Sequence, residues 1–191
     1  MKNLTLSVIV PFFNEKKYLK SSVERLISVS IFKEIILVDD NSTDNSYSIA
    51  ENLAHNVDNI QVLKNKVGKG KGAAVEYAKN HLTSTHMIIH DADLEYFPSD
   101  IVEMFDLDKN NPEVLILGTR FNGSKSRKNI YVRTELANRF LSFFFSVINL
   151  YKISDIASCY KMMPTEFFKE NKFSEKGFAY DIEILSKYLK H

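Results

Sequence analysis

The stretch Ile88–Glu95, IIHDADLE, ends an apolar run with three carboxylates in five residues. Like charges this close repel each other, so the fold must supply positive charge nearby. In an extended segment, side chains at alternate positions point the same way, which would bring Asp91, Asp93 and Glu95 to one ion. A hard cation such as Mg²⁺ binds carboxylates together with substrate phosphates. We therefore predict a strand ending in a metal site, the alternative being a solvated acidic loop.

Other apolar runs share the character of the strand at His86–Ile89: they are short, rich in Val and Ile, and lack strict alternation. They lie at Leu4–Val10, Glu34–Val38, Ile60–Leu63 and Val114–Leu117. Such runs are typical of strands covered on both faces. Segments with apolar residues at helical spacing separate them. The pattern predicts an α/β fold with a mostly parallel central sheet flanked by helices and a Rossmann-like N-terminal half.

Polar pairs follow three of the predicted strands. The pairs are Asn14 with Glu15, Asp39 with Asp40, and Asp91 with Asp93. Ligands of open parallel sheets bind outside the carboxyl ends of the strands, so these pairs mark a candidate ligand site. Asp39 or Asp40 could accept a hydrogen bond from a base or ribose. A capping turn with a spare acid is an equally good interpretation of that pair alone.

The segment Lys64–Val75, KNKVGKGKGAAV, holds three glycines and four lysines before a predicted helix. Backbone N–H groups and ammonium charges in such a loop favour phosphate binding. It is no Walker A loop, because Gly72 stands where Ser or Thr is required. A loose G-x-G-x-x-A from Gly68 to Ala73 keeps a dinucleotide-binding oxidoreductase as a second hypothesis. Against it, the loop begins too far beyond its strand, and the nearby acids would repel a pyrophosphate.

Arginines after the fifth strand are candidates for phosphate contact. Arg120 follows this strand directly, at the same edge of the sheet, and arginine suits bidentate binding of phosphate. Arg133 lies in the long helical stretch from about Val132 to Leu150, where an exposed helix charge is an equally good interpretation. The five histidines show no spacing typical of metal ligands, so we interpret them as structural or surface residues.

Composition limits the class of protein. The 191 residues carry 25 basic and 24 acidic side chains, and a net charge of +1 predicts no binding to nucleic acid. A single cysteine, Cys159, excludes an internal disulfide and favours the cytoplasm. The helical pattern runs to His191 without a stop signal, as expected for a piece of a longer protein. Nothing in the sequence indicates an oligomeric state.

The most apolar segment is Phe140–Ile153, FLSFFFSVINLYKI, which is too short to span a bilayer. A buried or half-buried helix is favoured over a helix on a membrane surface. The consecutive residues Phe143, Phe144 and Phe145 cannot all face one core, however. They are the only physical hint of a side that faces a membrane.

Several motifs in this order resemble the family 2 glycosyltransferases of the GT-A fold. They are VIVPFFNE, LVDDNSTDNS, GKGKGAAV, DADLEYFPSD, GTRF and DIASCYKMM. Within the family they look like dolichol-phosphate mannose synthase and related polyprenyl-phosphate or bacterial sugar transferases. The resemblance implies a single catalytic domain over 1–191, with a nucleotide-binding half at about 1–120 and an acceptor-side half at about 121–191. Many members carry transmembrane helices after this domain, which implies either that this chain is truncated at its C-terminus or that the enzyme works as a soluble or peripheral form.

The resemblance also assigns roles at the donor side. The residues implied to hold a UDP- or GDP-sugar are Pro11, Asn14, Glu15, Asp39, Asp40, Gly70, Lys71, Asp91, Ala92 and Asp93. Asp91 and Asp93 match a D-x-D motif that grips Mg²⁺ or Mn²⁺ on the diphosphate. Glu95, a third metal-ligand candidate, stands where the mannose synthases often have Gln.

The predicted catalytic residues are Asp93, Asp155, Arg120 and Arg133. The two arginines match phosphate-contacting positions, and Asp155 matches an acidic position in the acceptor-side motif. An inverting transfer to a lipid phosphate needs no base, because that oxygen is already anionic. Transfer to a saccharide hydroxyl, as in cell-surface polysaccharide synthesis, needs one, and Asp155 is the candidate. The sequence leaves both acceptors open, with contact at the cytoplasmic membrane face a further expectation.

Two other hypotheses follow from the same acids. A receiver-like signalling domain also has acids at strand ends, but it needs an acid pair after the first strand and a lysine after the fifth. This chain has Asn14 with Glu15, and Gly118-Thr119-Arg120, at those places. The second of these hypotheses is a degenerate family member that binds a sugar nucleotide without turnover. The intact Asp91 and Asp93 count against it.

Overall fold

The computed structural model describes residues 3–121, 132–177 and 179–190, and the side chains of 132–135 are not included. These residues form a six-stranded sheet in the order β3-β2-β1-β4-β6-β5. The strands are β1 (Leu6–Phe12), β2 (Phe32–Asp39), β3 (Ile60–Lys64), β4 (His86–Ile89), β5 (Ile116–Leu117) and β6 (Lys161–Pro164). Strands β1 to β4 pair in parallel, and β6 is antiparallel to β4 and β5. The predicted α/β fold with a mostly parallel sheet is confirmed.

Helices cover both faces of the sheet, as predicted from the apolar spacing. They are α1 (Leu19–Ser28), α2 (Ser46–Asn56), α3 (Lys71–Ala78), α4 (Pro98–Asp108), α5 (Val132–Asn149), α6 (Thr165–Glu170) and α7 (Tyr180–Tyr188), with a 3-10 turn at Lys79–His81. Helix α1 shows how the sequence sets the packing. Its Leu19, Val23 and Leu26 recur every three or four residues and are all fully buried, while Lys20, Ser21 and Glu24 are exposed.

Strand β6 is the element that the sequence does not predict. It contains Lys161 and ends on Pro164, and both residue types are rare in central strands. Lys161 is nevertheless fully buried, because its ammonium group lies 3.1 Å from Asp181 Oδ1. Since β6 is antiparallel to both neighbours, β5 points the same way as β4. Arg120, just after β5, therefore lies at the same edge of the sheet as the acids after β1, β2 and β4.

The core lies on the two faces of the central strands. Every residue of β1 is buried, as expected for a strand covered on both sides. A smaller apolar cluster of Ile153, Ile156 and Leu185 packs beside α5, with Phe145 against it. Within the described ranges, no helix has both the length and the apolar character needed to cross a bilayer.

Candidate active site

A cleft of about 670 Å³ opens where β1, β2 and β4 end. It is lined by most residues predicted to hold a nucleotide sugar, namely Pro11, Glu15, Asp40, Gly70, Lys71, Asp91, Ala92 and Asp93. Asn14, which is exposed, and Asp39, which is buried, do not line it. The parallel strand ends thus bring together residues that are far apart in the sequence, as the fold class predicts.

A second cleft, of about 690 Å³, lies at the opposite edge of the sheet beside His86 and Thr165. None of the predicted site residues lines it. Its lysines and glutamates are mixed, namely Lys109, Lys169, Glu113, Glu166 and Glu170. This mixture indicates no particular ligand chemistry, so the first cleft is the candidate active site.

Asp39 and Asp40, the two acids that follow Val38, make different hydrogen bonds. Asp40 accepts hydrogen bonds at Oδ2 from the backbone N–H of Gly70 (2.7 Å) and at Oδ1 from the side-chain amide of Asn65 (2.8 Å). Asp39 accepts one bond at Oδ1, from the N–H of Ser42 (3.0 Å). Its Oδ2 is buried and has no hydrogen-bond partner among the described residues. A buried acceptor without a donor is costly, so Asp39 is the acid with capacity for a ligand N–H or O–H.

The glycine-lysine loop is held by the protein itself. Besides Gly70, the N–H of Lys69 donates to Asp40 (3.3 Å), and the N–H of Gly72 donates to the carbonyl oxygen of Lys176 (2.8 Å). Gly70 has a φ of +99°, a conformation that side chains rarely adopt. The structure therefore does not support a phosphate cradle built from these N–H groups. The loop instead starts α3 and brings Lys71 into the cleft.

Asn14 ties two strand-end loops together. It adopts a φ of 55°, and its side-chain oxygen accepts bonds from the N–H groups of Thr43 (2.8 Å) and Asp44 (3.3 Å). Its role here is structural. The neighbouring Glu15 faces the cleft, where burial, followed by the charges of Asp93, Asp44 and Asp91, raises its pKa above the usual range.

Lys71 places a positive charge beside Asp91, the first acid of the stretch Ile88–Glu95. Its Nζ lies 2.9 Å from Asp91 Oδ1 and 3.0 Å from Asp181 Oδ2. Although burial raises the pKa of Asp91, the charge of Lys71 and its hydrogen bond lower it below the usual value. The repulsion noted in the sequence is thus offset in part by a lysine of the chain. Asp181 and Lys161 complete this network, and sequence analysis assigned neither of them a role.

Asp93 keeps an oxygen available for a ligand. Its Oδ1 accepts the backbone N–H of Glu95 (3.0 Å), and Oδ2 has no partner among the described residues. Burial, and then the charge of Asp91, raise the pKa of Asp93. Residues 92–95 bend instead of extending, so strand alternation does not carry Glu95 to the side of the two aspartates. In the described ranges, no three acidic, His or Cys side chains are arranged to hold a metal ion.

Arg120 and Asp155, which do not line the cleft, form a bidentate ion pair near the same edge of the sheet. Arg120 donates from Nε to Oδ2 and from Nη2 to Oδ1, each at 2.9 Å, and Asn138 donates to Oδ1 at 2.6 Å. Asp155 is fully buried. Although burial raises its pKa, the bonds and charge of Arg120 hold it below the usual range. A carboxylate with both oxygens engaged and a lowered pKa is a poor base, so this geometry does not favour the base role considered for Asp155, which stays a prediction.

Two points of the predicted site remain. Arg133 belongs to α5, but its side chain lies outside the described residues, so its predicted phosphate contact stays a prediction. Asn138 was missed, although it lies in the predicted long helix. Its one sequence signal is a polar residue at a helical position that would otherwise be apolar, five residues after Arg133.

The fold is the GT-A fold of glycosyltransferases. The sequence model of glycosyl transferase family 2 matches residues 7–171, so the chain belongs to this family of glycosyltransferases. The resemblance drawn from the motifs is confirmed, and the oxidoreductase and receiver hypotheses are set aside.

Two curated relatives carry informative names. The UDP-N-acetylglucosamine–dolichyl-phosphate N-acetylglucosaminyltransferase of Methanococcus voltae is 27% identical over 173 residues, which cover 83% of this chain and 68% of the relative. The dolichol-phosphate mannosyltransferase of Saccharomyces cerevisiae is 31% identical over 124 residues, which cover 62% of this chain and 46% of the relative. The chain thus spans about half of the yeast protein and about two thirds of the archaeal one.

Solved structures support the fold. Glucosyl-3-phosphoglycerate synthase from Mycobacterium tuberculosis, crystallised with Mn²⁺, UDP and glucosyl-3-phosphoglycerate, superimposes with a TM-score of 0.75. The match covers 98% of this chain and 66% of that chain at 17% identity. At this identity the likeness establishes the fold alone.

Proposed function

We propose that this chain transfers a sugar from a nucleoside-diphosphate sugar to a polyprenyl or dolichyl phosphate, with inversion at the anomeric carbon and with Mg²⁺ or Mn²⁺. The observation that carries the proposal is the pairing of two unlike sites at one sheet edge. One is the acid-lined cleft at Asp91 and Asp93, and the other is the Arg120–Asp155 ion pair. The named relatives that act on dolichyl phosphate support the choice of acceptor.

The nucleoside would bind at the ends of β1 and β2. Asp39 Oδ2 is a buried acceptor that lacks a donor among the described residues, and an N–H of a base or an O–H of a ribose would supply one. Asp40 holds the loop at Gly70 and so shapes the floor of the cleft. In this proposal Asp39 recognises the nucleoside, and Asp40 holds the loop at Gly70 in place before the nucleotide binds.

Asp91 and Asp93 fit a divalent cation by their donor chemistry. Their hard carboxylate oxygens suit Mg²⁺ or Mn²⁺, which proteins often hold through one or two carboxylates plus substrate phosphates. Bound there, the cation would neutralise charge on the departing nucleoside diphosphate. Lys71 adds a fixed positive charge 2.9 Å from Asp91. Glu15, whose pKa is raised by burial and by the neighbouring acids, also faces this place.

The acceptor side favours an anionic nucleophile. Asp155, the base considered for a hydroxyl acceptor, has both oxygens bonded and a lowered pKa. A lipid phosphate needs no base, and a guanidinium held in place by Asp155 suits phosphate recognition. The phosphate oxygen attacks the anomeric carbon from the face opposite the diphosphate, a new C–O bond forms, and the bond to the diphosphate breaks. A saccharide hydroxyl is the disfavoured acceptor.

A panel of UDP- and GDP-sugars tests the proposal. The full chain is incubated with each donor, Mg²⁺ or Mn²⁺, and a mixture of polyprenyl phosphates, and the extracted lipids are analysed by mass spectrometry. We expect one glycosylated polyprenyl phosphate that carries the sugar of one donor. The Asp93→Ala variant, which lacks the available carboxylate, should give none. Transfer to a saccharide hydroxyl with no lipid product would refute the acceptor assignment.

Calorimetry separates binding from turnover. UDP and GDP are titrated into the protein with and without Mn²⁺, and binding should strengthen clearly when the metal is present. If no nucleoside diphosphate binds under either condition, the donor side of the proposal fails. Binding without any product would identify a member that has lost turnover.

A further inference from the structure

Charges of alternating sign run from the interior of the protein to the candidate active site. Lys161 is fully buried, and its Nζ lies 3.1 Å from Oδ1 of Asp181. The other oxygen of Asp181, Oδ2, lies 3.0 Å from Nζ of Lys71, which in turn lies 2.9 Å from Asp91 Oδ1. We call these four residues the charged network. Lys71 and Asp91 line the cleft, whereas Lys161 and Asp181 do not.

Helix α7 carries Asp181 and is docked on α3, the helix that begins at Lys71. The hydroxyl of Tyr180 donates a hydrogen bond to Oε1 of Glu76 in α3 at 2.9 Å. Tyr180 is fully buried at this contact between the helices. The start of α7 is therefore fixed against α3, and the carboxylate of Asp181 reaches a lysine that lies 110 positions earlier in the chain.

The ammonium group of Lys71 is shared almost equally between two carboxylates. Its Nζ lies 2.9 Å from Asp91 and 3.0 Å from Asp181. A lysine side chain has many rotamers in water, and one contact alone would leave it free to rotate about that contact. Two carboxylates on different elements restrict it to one place. The network therefore keeps the ammonium group at a defined point of the cleft wall.

The charge of Asp181 also determines how Lys71 affects a cation in the cleft. An ammonium group beside Asp91 cancels much of the charge of that carboxylate and repels a second cation. Asp181 lies 3.0 Å from the same ammonium group and offsets its charge. Asp91 and Asp93 thus keep their acidic character toward the cleft. Lys161, on the far side, makes a buried carboxylate at Asp181 stable.

We propose that Asp181 is a positioning residue for the donor side of the cleft. It holds the ammonium group of Lys71 where a diphosphate would bind, and it leaves Asp91 acidic enough to bind a divalent cation. Asp181 acts through Lys71, because it is itself buried and does not line the cleft. The diphosphate and the cation belong to the proposed function, on which this inference rests. A role of Asp181 in folding alone is the alternative, and it makes different predictions.

Acylation of lysines tests the anchoring without any nucleotide. The protein is treated with sulfosuccinimidyl acetate, and mass spectrometry compares the labelling rate of Lys71 with that of the exposed Lys66. We expect Lys71 to be labelled about fivefold faster in Lys161→Met/Asp181→Asn than in the wild type. This double variant removes one charge of each sign, so it leaves no buried lysine without its partner. Glu170→Gln, at an exposed acid of α6, should behave like the wild type.

Calorimetry with UDP or GDP and Mn²⁺ separates positioning from folding. Asp181→Asn and the double variant should both raise the Kd of the nucleotide by about tenfold. Their stabilities should differ, because Asp181→Asn leaves Lys161 without a carboxylate and lowers the unfolding midpoint, whereas the double variant recovers most of it. Asp181→Glu, which keeps the charge, should retain most of the nucleotide affinity.

Two results would overturn the inference. One is an equal labelling rate of Lys71 in the wild type and in Lys161→Met/Asp181→Asn. The other is a double variant that regains both the unfolding midpoint and the nucleotide affinity of the wild type, which would limit Asp181 to a role in folding. If the wild-type chain binds neither UDP nor GDP, the donor side of the proposed function fails, and the labelling rate alone decides whether Asp181 holds Lys71.

Discussion

Asp108, at the end of α4, is a buried acid far from the candidate active site. Its carboxylate has no hydrogen bond among the described residues, and Oδ2 lies 3.4 Å from His86 Nε2. Burial raises its pKa from 3.8 to about 6, against the opposing effect of His86. An acid with a raised pKa in the folded state favours folding at low pH, and this contribution is lost as pH rises through about 6.

Replacing Asp108 with Asn removes the negative charge of this buried carboxylate. Asp108→Asn should raise the free energy of unfolding by about 1 to 2 kcal/mol at pH 8, and this gain should disappear at about pH 3, where the wild-type acid is mostly protonated in both states. Urea unfolding at several pH values measures it. Asp106→Asn serves as control, because that acid is exposed and paired with Lys109 at the surface. A gain independent of pH would contradict the assigned pKa.

Asp155 holds the guanidinium group of Arg120 through two hydrogen bonds. Asp155→Asn loses the ion pair that fixes Arg120, so we expect turnover to fall by about 100-fold while the Kd for UDP with Mn²⁺ stays close to that of the wild type. Steady-state kinetics and calorimetry measure the two effects, and Ser154→Ala, at an exposed neighbour, is the control. A turnover within twofold of the wild type would show that Arg120 does not need this partner.

At the scale of elements, the first turn of α3 packs against the segment before α7. A Cβ at Gly72 would lie 2.6 Å from the carbonyl oxygen of Glu175 and 2.8 Å from the ring of Tyr180. Gly72→Ala should therefore cost roughly 1 to 3 kcal/mol of stability through overpacking. Gly177→Ala is the matched control, since a Cβ there would meet nothing within 4 Å. Thermal unfolding of both variants measures the difference, and equal midpoints would rule out the tight contact.

Elements with a regular pattern were predicted well, and those shaped by tertiary partners were not. The segments that form β1 to β4 are runs of apolar residues buried on both faces of the sheet, so local composition is enough to predict these strands. Lys161 in β6 is stabilised by Asp181, which lies 20 positions away, and no local pattern shows this. In α5 the pattern was recognised as helical, but its apolar side was assigned inward, whereas most of its large apolar residues are exposed. Only the bonds of Ser142 and Ser146 to residues after the helix decide the orientation.

In the candidate site, too, some features follow from the local sequence pattern and others depend on tertiary contacts. The clustering of Asp39, Asp40, Asp91 and Asp93 follows from the strand ends. The roles within each pair depend on which N–H groups reach which oxygen, for example Gly70 to Asp40, and these contacts are set by loop geometry. Lys71 was predicted near the nucleotide. Its pairing with Asp91 and Asp181 needed the docking of α7, which the sequence does not specify.

At the scale of the whole molecule, Lys71 links the two halves of the chain. It joins Asp91 in the first half to Asp181 in the second. Lys71→Met leaves two partly buried acids without this cation, so the unfolding midpoint should drop by several degrees, on the order of a 2 kcal/mol loss. Mn²⁺ with UDP should restore more of the midpoint in this variant than in the wild type.

The matched control is Lys66→Met, at an exposed lysine of the same loop. Differential scanning fluorimetry with and without Mn²⁺ and UDP measures both variants. If Lys71→Met and Lys66→Met melt alike, the two halves do not depend on this network. An equal response of both variants to the metal would argue against a cation beside Asp91.

The place of β6 between β4 and β5 has a consequence for biosynthesis. Strands β1 to β4 are complete once residue 89 has left the ribosome, and they can pair as synthesis continues. Strand β5 has no neighbour in the sheet until Lys161–Pro164 have also emerged. Arg120 therefore takes its place late, when most of the chain has been made. A nascent chain would form the parallel strands β1 to β4 first, so a ribosome stalled before β6 has emerged would carry a partial fold without a complete active site.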